Sequence, residues 1–261
     1  MKRLEAQSTS FPTPGGVRIV VDIPSGMIAV DNTDTDETRV DVESRRGGVL
    51  EVAHVEDRDG TSTVTLRSRK RSGGEHDVKV TCPTGADIDV TTGSADLTVR
   101  GMAGSIAFRA GSGDLSFDSV AADVSVKVGS GDVTGHTVGG ALSMLGASGD
   151  VRVGEVGGDL VAKTVSGDAA IGRVGGDLTV TTVSGDIEVA RLHTGVANVR
   201  AVSGDVEVGI APGTSAFLDL SATTGDTRSD LSATDGPGEG DTLELHAATV
   251  SGDIRVKRAR S

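Results

Sequence analysis

A triplet of hydroxyl, glycine and carboxylate recurs along this chain at a nearly constant step. Asp114, Asp132, Asp150, Asp168 and Asp186 each close a Ser-Gly-Asp triplet, 18 residues apart. Asp205, Asp226 and Asp253 follow at steps of 19, 21 and 27, and Asp96 lies 18 residues before Asp114. In register, such carboxylates would form a column along one edge, placed to bridge cations or read a ligand. Turn chemistry accounts for the same residues more simply, because Gly supplies a positive φ and Asp accepts nearby backbone N–H groups. Like charges about 4.8 Å apart also repel unless hydrogen bonds or cations compensate them. All nine aspartates are therefore expected to be structural turn residues. Calcium-binding rolls share an 18-residue coil, but they require Gly-Gly-x-Gly-x-Asp, and the turns here offer too few ligands for a calcium cage.

Other reactive residue types form no pattern. His54, His76, His136, His193 and His246 lack metal-ligand spacing and share no position in the repeat, so they read as lone surface or turn histidines. Cys82 is the single cysteine and reads as a small buried hydrophobe before Pro83, with no disulfide or thiolate cluster to join. The segment Gly129–Gly135 resembles a phosphate loop only superficially, since it is one copy of the turn repeat. Acid–base work on sugars needs a carboxylate pair in a cleft, usually with aromatic faces, and Trp and Tyr are absent. The residues thus point to no catalytic, cofactor-binding or metal site, to no cofactor, and to a chain that is not an enzyme. A β-helical polysaccharide-active enzyme is the disfavoured alternative.

The spacing of apolar residues shows what carries the triplets. After each Asp, apolar residues fall at the first, third, sixth, tenth, twelfth and often the fifteenth place. For Asp150 these are Val151, Val153, Val156, Leu160, Ala162 and Val165; for Asp168 they are Ala169, Ile171, Val174, Leu178, Val180 and Val183. For Asp96 the same rule selects Leu97, Val99, Met102, Ile106 and Phe108. The second set repeats the first nine residues later, behind Gly157-Gly-Asp159 and Gly175-Gly-Asp177. Alternation of period two between Gly-containing turns argues strand. The expected fold is all-β: a single-stranded β-solenoid, like a β-helix or β-roll, with nine-residue half-repeats and about 18 residues per coil. Each coil buries its stripe only by stacking on the next, about 4.8 Å away. With 38 Gly, 4 Phe and 36% apolar residues, the core must be narrow and aliphatic.

The expected organisation runs from a disordered N-terminus (1–10) through an N-terminal β cap or degenerate coils (11–76). A regular solenoid (77–208) follows, then C-terminal coils (209–261) with an insertion at 209–242 and a basic tail, Lys257-Arg-Ala-Arg260. The formal charge of −13 argues against nucleic acid and anionic lipid. The one basic run, Arg67-Ser-Arg-Lys-Arg71, reads as a solvated loop. The N-terminus shows no signal-peptide stretch, and no run approaches the ~20 apolar residues of a membrane span. The expectation is a cytoplasmic chain.

The stretches Thr164-Val-Ser-Gly-Asp168, Val174-Gly-Gly-Asp-Leu178 and Thr182-Val-Ser-Gly-Asp-Ile187 resemble the bacterial β-strand-repeat "putative adhesin" family, a domain of unknown function. The opening Val17-Arg-Ile-Val-Val-Asp-Ile-Pro-Ser-Gly26 is similar to that family's start, so the resemblance spans nearly the whole chain. It implies a β-solenoid and an adhesin-like role, and it supplies no catalytic residues. The expected function is a non-enzymatic structural or protein-interaction module, acting on an unknown protein partner or by self-association. A self-assembling scaffold resembling bactofilins is the alternative.

Overall fold

Strands that alternate apolar and polar residues present one apolar face each, and that face must be covered. The computed structural model describes residues 5–45, 49–56, 60–69, 74–231 and 240–259, and its regular structure is strand alone. The chain divides into two compact units, Met1–Gly135 and His136–Ser261.

The first unit contains β1 (Glu5–Pro12), β2 (Val17–Thr33), β3 (Glu37–Arg45), β4 (Leu50–Glu56) and β5 (Ser62–Ser68). It continues with β6 (Glu75–Pro83), β7 (Asp87–Ala103), β8 (Ile106–Ser112), β9 (Leu115–Val120) and β10 (Val124–Ser130). β2 and β7 are long enough to serve both faces of a coil. The first half of β2 lies between β5 and the first half of β7, and its second half lies between β6 and the second half of β7. All these pairings are parallel. Antiparallel strands then close both faces: β4 on β5, and β3 on β6 with β1 outermost. The residues expected to be loose at the start therefore form a strand, at least from Glu5 onward. The partner β3 satisfies one side of its backbone. On the other side of β7, β8 and then β10 stack on one face and β9 on the other.

β11 (Val133–Val138) leads into β12 (Leu142–Ser148), β13 (Val151–Val156), β14 (Leu160–Lys163), β15 (Ala169–Val174), β16 (Leu178–Ser184) and β17 (Ile187–Leu192). The second unit ends with β18 (Gly195–Ser203), β19 (Val206–Ile210), β20 (Ser215–Thr224), β21 (Thr227–Ser229), β22 (Thr242–Ser251) and β23 (Ile254–Arg258). Two strands make one coil, in parallel register with the next: Leu160 stands on Leu142 and under Leu178, Val151 under Ala169 and Ala169 under Ile187. The chain is an all-β solenoid, as its repeat requires.

Spatial order departs from chain order at the end. β18 pairs with β22, and β22 with β20; β19 pairs with β23, and β23 with β21. The last coil in sequence is therefore inserted, and β20–β21, inside the expected insertion at 209–242, is the outermost coil. The basic tail is part of this arrangement rather than a frayed end. Arg258 donates to the carbonyl oxygens of Ala211 and Thr214, at 2.9 and 3.0 Å, and Lys257 pairs with Glu207. Arg260, Lys70 and Arg71 lie outside the described residues, as does 232–239 within the insertion.

The core is the expected aliphatic stripe, with Leu97, Ile106, Phe108, Val153, Leu160, Ile171, Leu178 and Val180 buried. Three residues chosen by the same rule are outside it. Met102 is 51% exposed because a bulge between Val99 and Met102 hands its place to buried Ala103. Val165 and Val183 are 52% and 44% exposed, and the residues before them, Thr164 and Thr182, are buried instead. Each of these threonines donates across the corner to the carbonyl oxygen of the Ser two places on, at 3.2 Å. That satisfied hydroxyl lets a polar residue take the core-facing place.

Candidate interaction surfaces

The repeated aspartates do stack. In the first unit, Asp96 Oδ1 accepts the backbone N–H of Asp114, and Asp114 Oδ1 that of Asp132, both at 2.9 Å. In the second, the same bond links Asp150 to Asp168 and Asp168 to Asp186 at 2.9 Å, and Asp186 to Asp205 at 2.8 Å. It continues from Asp205 to Asp253 and from Asp253 to Asp226 at 2.8 Å, following spatial rather than sequence order. Each carboxylate thus ties one coil to the next instead of closing only its own turn. Hydrogen bonding to the Asp168 N–H, with Arg152 nearby, lowers the pKa of Asp150. A second, shorter ladder runs at the opposite corner, from Asp159 to the N–H of Asp177 at 2.9 Å and from Asp177 to that of Val196 at 2.8 Å. Glycine is required at the first ladder: Gly185 has φ +141°, and a Cβ there would lie 2.1 Å from the Gly167 carbonyl oxygen. Among the described residues, no group of three or more His, Cys, Asp or Glu could hold a metal ion.

Two side chains of reactive type are buried in the first unit. His76 is fully buried rather than at the surface, with Nδ1 2.9 Å from Ser44 Oγ and Nε2 3.3 Å from Ser68 Oγ. A hydroxyl against an imidazole is the pairing that activates a nucleophile. Here Ser44 is only 7% exposed and the second ring nitrogen meets another hydroxyl, so substrate has no access and no carboxylate orients the ring. Burial lowers the pKa of His76. Cys82 is buried as expected, with its Sγ 3.7 Å from Asn32 Oδ1, and burial pushes the thiol up to about 12. It remains a thiol at neutral pH and is no nucleophile.

The outer face formed by β1, β3, β6, β2 and β7 is a trough of about 690 Å³. Register places Met27 between Asp96 and Asp77, with Glu43 directly opposite Asp77. Met27 is 64% exposed on the floor. The next rows carry the cations and their partners: Arg100 reaches Asp31 at 3.1 Å, Lys79 reaches Asp31 at 3.4 Å, and Arg39 chelates Asp41. The hydrogen bond from Ser8, with Arg39 adjacent, lowers the pKa of Asp41. The Met27 row thus concentrates carboxylates around an apolar centre, and like charges directly across an antiparallel pair repel.

The second unit presents apolar side chains differently. Val165, Val183, Val202 and Val250 stand outside successive coils, each immediately before a triplet serine. Beyond them, β20 carries Phe217, 64% exposed, and half-buried Leu218 and Leu220. His246 on β22 bridges two carboxylates, with Nδ1 3.2 Å from Asp219 Oδ2 on β20 and Nε2 2.9 Å from Glu244 Oε1. These two acceptors raise its pKa. A signal for this bridge was present in sequence only as the i, i+2 pair Glu244 and His246, which share one side of a strand; Asp219 joins them through the inverted coil order.

The sequence pattern of the Toastrack DUF4097 family matches residues 18–259. No curated protein matches the chain in sequence. Among solved structures, a "putative adhesin" from Bacteroides fragilis is similar with a TM-score of 0.51 and 14% identity over 97% of each chain. A "putative adhesin" from Parabacteroides distasonis gives a TM-score of 0.34 at 11% identity, over 97% of each chain. A "putative cell adhesion protein" from Clostridium sporogenes gives 0.28 at 8% identity, over 98% of this chain and 100% of that one. The Bacteroides protein shares the fold. Among the described residues, no helix is long and apolar enough to cross a membrane.

Proposed function

Since the chain belongs to the Toastrack DUF4097 family, we propose that it is a non-enzymatic protein-interaction module that takes its partner in the trough of the first unit. One observation carries the reading: an exposed methionine lies on the floor of a concave sheet face, in a row with Asp96, Asp77 and Glu43. Exposed apolar surface rimmed by polar groups is the usual mark of a binding face. A partner fitting it offers an apolar side chain to Met27 and a cation to the acidic row beside it. The reactive pairings elsewhere support a non-enzymatic role, because the Ser44–His76 pair and the Cys82 thiol are both buried.

The test uses the full chain immobilised beside Met27→Glu and Glu43→Lys. Both substitutions are on an outer face, so both variants should fold, with only the small changes in melting that one added or removed like charge brings. Captured proteins should be lost from both variants, and wild-type capture should weaken with salt. Equal capture by all three forms would place binding elsewhere. Turnover of any acidic polysaccharide by the wild type would overturn the non-enzymatic reading.

A further inference from the structure

The outermost coil of the second unit is an in-register parallel copy of the coil beneath it, and among the described residues no segment reverses direction to end the stack. β20 pairs with β22 on one side, and no strand pairs with its other side among the described residues. Its inward side chains show the consequence. Leu218 stands on Leu245 and Leu220 on Ala247, which are 0% and 2% exposed, yet Leu218 and Leu220 are themselves only half-buried. Natural sheet edges are usually blunted by Pro, Lys, a bulge or a covering segment. β20 reads Ser-Ala-Phe-Leu-Asp-Leu-Ser-Ala-Thr-Thr and holds neither Pro nor Lys; Asp219 is its one charge.

We propose that this edge is covered by the same edge of a second copy, giving a closed dimer through antiparallel β20–β20 pairing about a twofold axis. One register overlaps the most of the strand without opposing like charges. Keeping inward residues opposite inward residues requires an axis on a residue rather than between two. An axis at Asp219 would set the two aspartates against each other. An axis at Leu220 overlaps residues 216–224, sets Leu220 against its own copy and Leu218 against Ala222, and places each Asp219 opposite Ser221. Both copies then extend the same aliphatic stripe across the junction. The edges of the first unit suit β20 less well: β1 ends in Pro12, which has no N–H to donate, and β4 ends in Glu56, of the same sign as Asp219. One isologous contact closes, whereas head-to-tail contact would polymerise. A junction this narrow falls below the ~1,200 Å² of standard interfaces, so association should be weak and dependent on concentration. It does not involve the trough, and its failure would leave the trough reading intact.

The test is light scattering behind size exclusion over a wide concentration range, using the full chain and Leu220→Lys. The wild-type mass should rise from 26.3 kDa to twice that value and stop. Leu220→Lys should stay at one chain and remain folded, melting somewhat lower because Leu220 is partly buried on Ala247, and Phe217→Asp, wholly on the outer face, should also stay at one chain if Leu220→Lys proves unstable. Leu220→Cys reports the register: its thiol meets its own copy, so mild oxidation should give a disulfide dimer in high yield, while buried Cys82 stays unreacted. Mixing Leu220→Cys with Ala53→Cys on β4 should give no mixed dimer. A mass fixed at one chain, growth beyond two chains, or the mixed disulfide in place of the Leu220→Cys dimer would each overturn the proposal.

Discussion

In the unit ending at Gly135, the outermost strands run against their neighbours: β4 is antiparallel to β5, and β1 to β3. In the unit beginning at His136, the outermost coil runs parallel and in register, with Leu218 and Leu220 half-buried where deeper coils bury the same places. A parallel solenoid has translational symmetry along its stack, so any coil in register is a template for another. Reversing a strand breaks that symmetry, because an incoming coil can no longer repeat the pattern on both faces. The corners differ as well. The residue before the serine is Gly93, Gly111 or Gly129 in the first unit, and Ala147, Val165, Val183, Val202 or Val250 in the second. The two histidines whose environments shift them follow the same division, one sealed in the first unit and one bridging carboxylates on the second. A single repeat thus carries two kinds of end, one with reversed strands and one with a parallel coil outermost.

The largest expected effect tests the difference between an inner and an outer coil. Leu245→Ala removes a wholly buried side chain and should cost about 2–5 kcal/mol in denaturant unfolding. Leu218→Ala, one coil out, should cost about 1 kcal/mol in dilute solution, since that side chain is already partly in water. Equal losses for the two in dilute solution would show that the end is covered within one chain. Raising the protein concentration should increase the loss for Leu218→Ala alone.

The corners can be exchanged. Gly111→Val places a Cβ 2.7 Å from the Gly93 carbonyl oxygen, so the backbone must shift, at about 1–3 kcal/mol by analogy with overpacked sites. The reverse change, Val183→Gly, removes an exposed side chain and should cost about 0.5–1 kcal/mol, mainly through unfolded-state entropy. Thermal unfolding of both variants checks the asymmetry. A stable Gly111→Val would mean the first unit merely happens to carry glycine there.

Whether a feature of this molecule is legible in its sequence depends on whether the residue's role is local. The coil length, the strand pattern and the stripe of Leu97, Val153, Ile171 and Leu178 follow from periodicity, because side-chain direction alternates along a strand whatever its partners. Val165 and Val183 mislead for the same reason. At the corner the chain no longer alternates, and a threonine hydroxyl that finds a carbonyl replaces the apolar residue inside. The triplet aspartates can be recognised as turn residues, but not as bonds between coils, since the acceptor lies a full coil away. Least legible is anything set by strand order. The trough joins residues from β2, β3, β6 and β7, and the open edge exists because β22–β23 is inserted inside β20–β21. No local pattern at Met27 or Leu218 encodes either.

The two histidines give the units opposite responses to pH. His76 has its pKa lowered by burial from 6.5, so the unfolded chain takes up a proton that the folded one resists. That contribution destabilises the first unit as pH falls through 6.5 and levels off below the folded pKa. His246 has its pKa raised from 6.5 by Asp219 and Glu244. Its stabilising contribution is complete below 6.5 and is lost as pH rises through the higher folded value. In unfolding midpoints measured from pH 5 to 8 the two contributions oppose one another in the wild type. The acid loss should be smaller in His76→Gln, and the alkaline loss should vanish in His246→Gln. Identical profiles for all three chains would mean that neither ring titrates differently on folding.

The smallest effect separates the aspartate ladder from a ligand column. Asp168 accepts the N–H of Asp186 at 2.9 Å while its own N–H is held by Asp150 at 2.9 Å. Asp168→Ala leaves the Asp186 N–H with water alone and should cost about 1 kcal/mol. Asp168→Asn keeps an acceptor oxygen of the same reach and should cost less than about 0.5 kcal/mol, offset in part by removing one of a row of like charges. The pair Asp114→Ala and Asp114→Asn should behave alike, because Asp114 accepts the N–H of Asp132 with the same 2.9 Å geometry. This is where the two units ought not to differ. Calorimetric unfolding with and without added calcium completes the test: a calcium-dependent midpoint that disappears in Asp168→Asn would show the carboxylates acting as ligands, whereas a midpoint indifferent to calcium, with Ala costly and Asn cheap in both units, is what hydrogen bonding between coils requires.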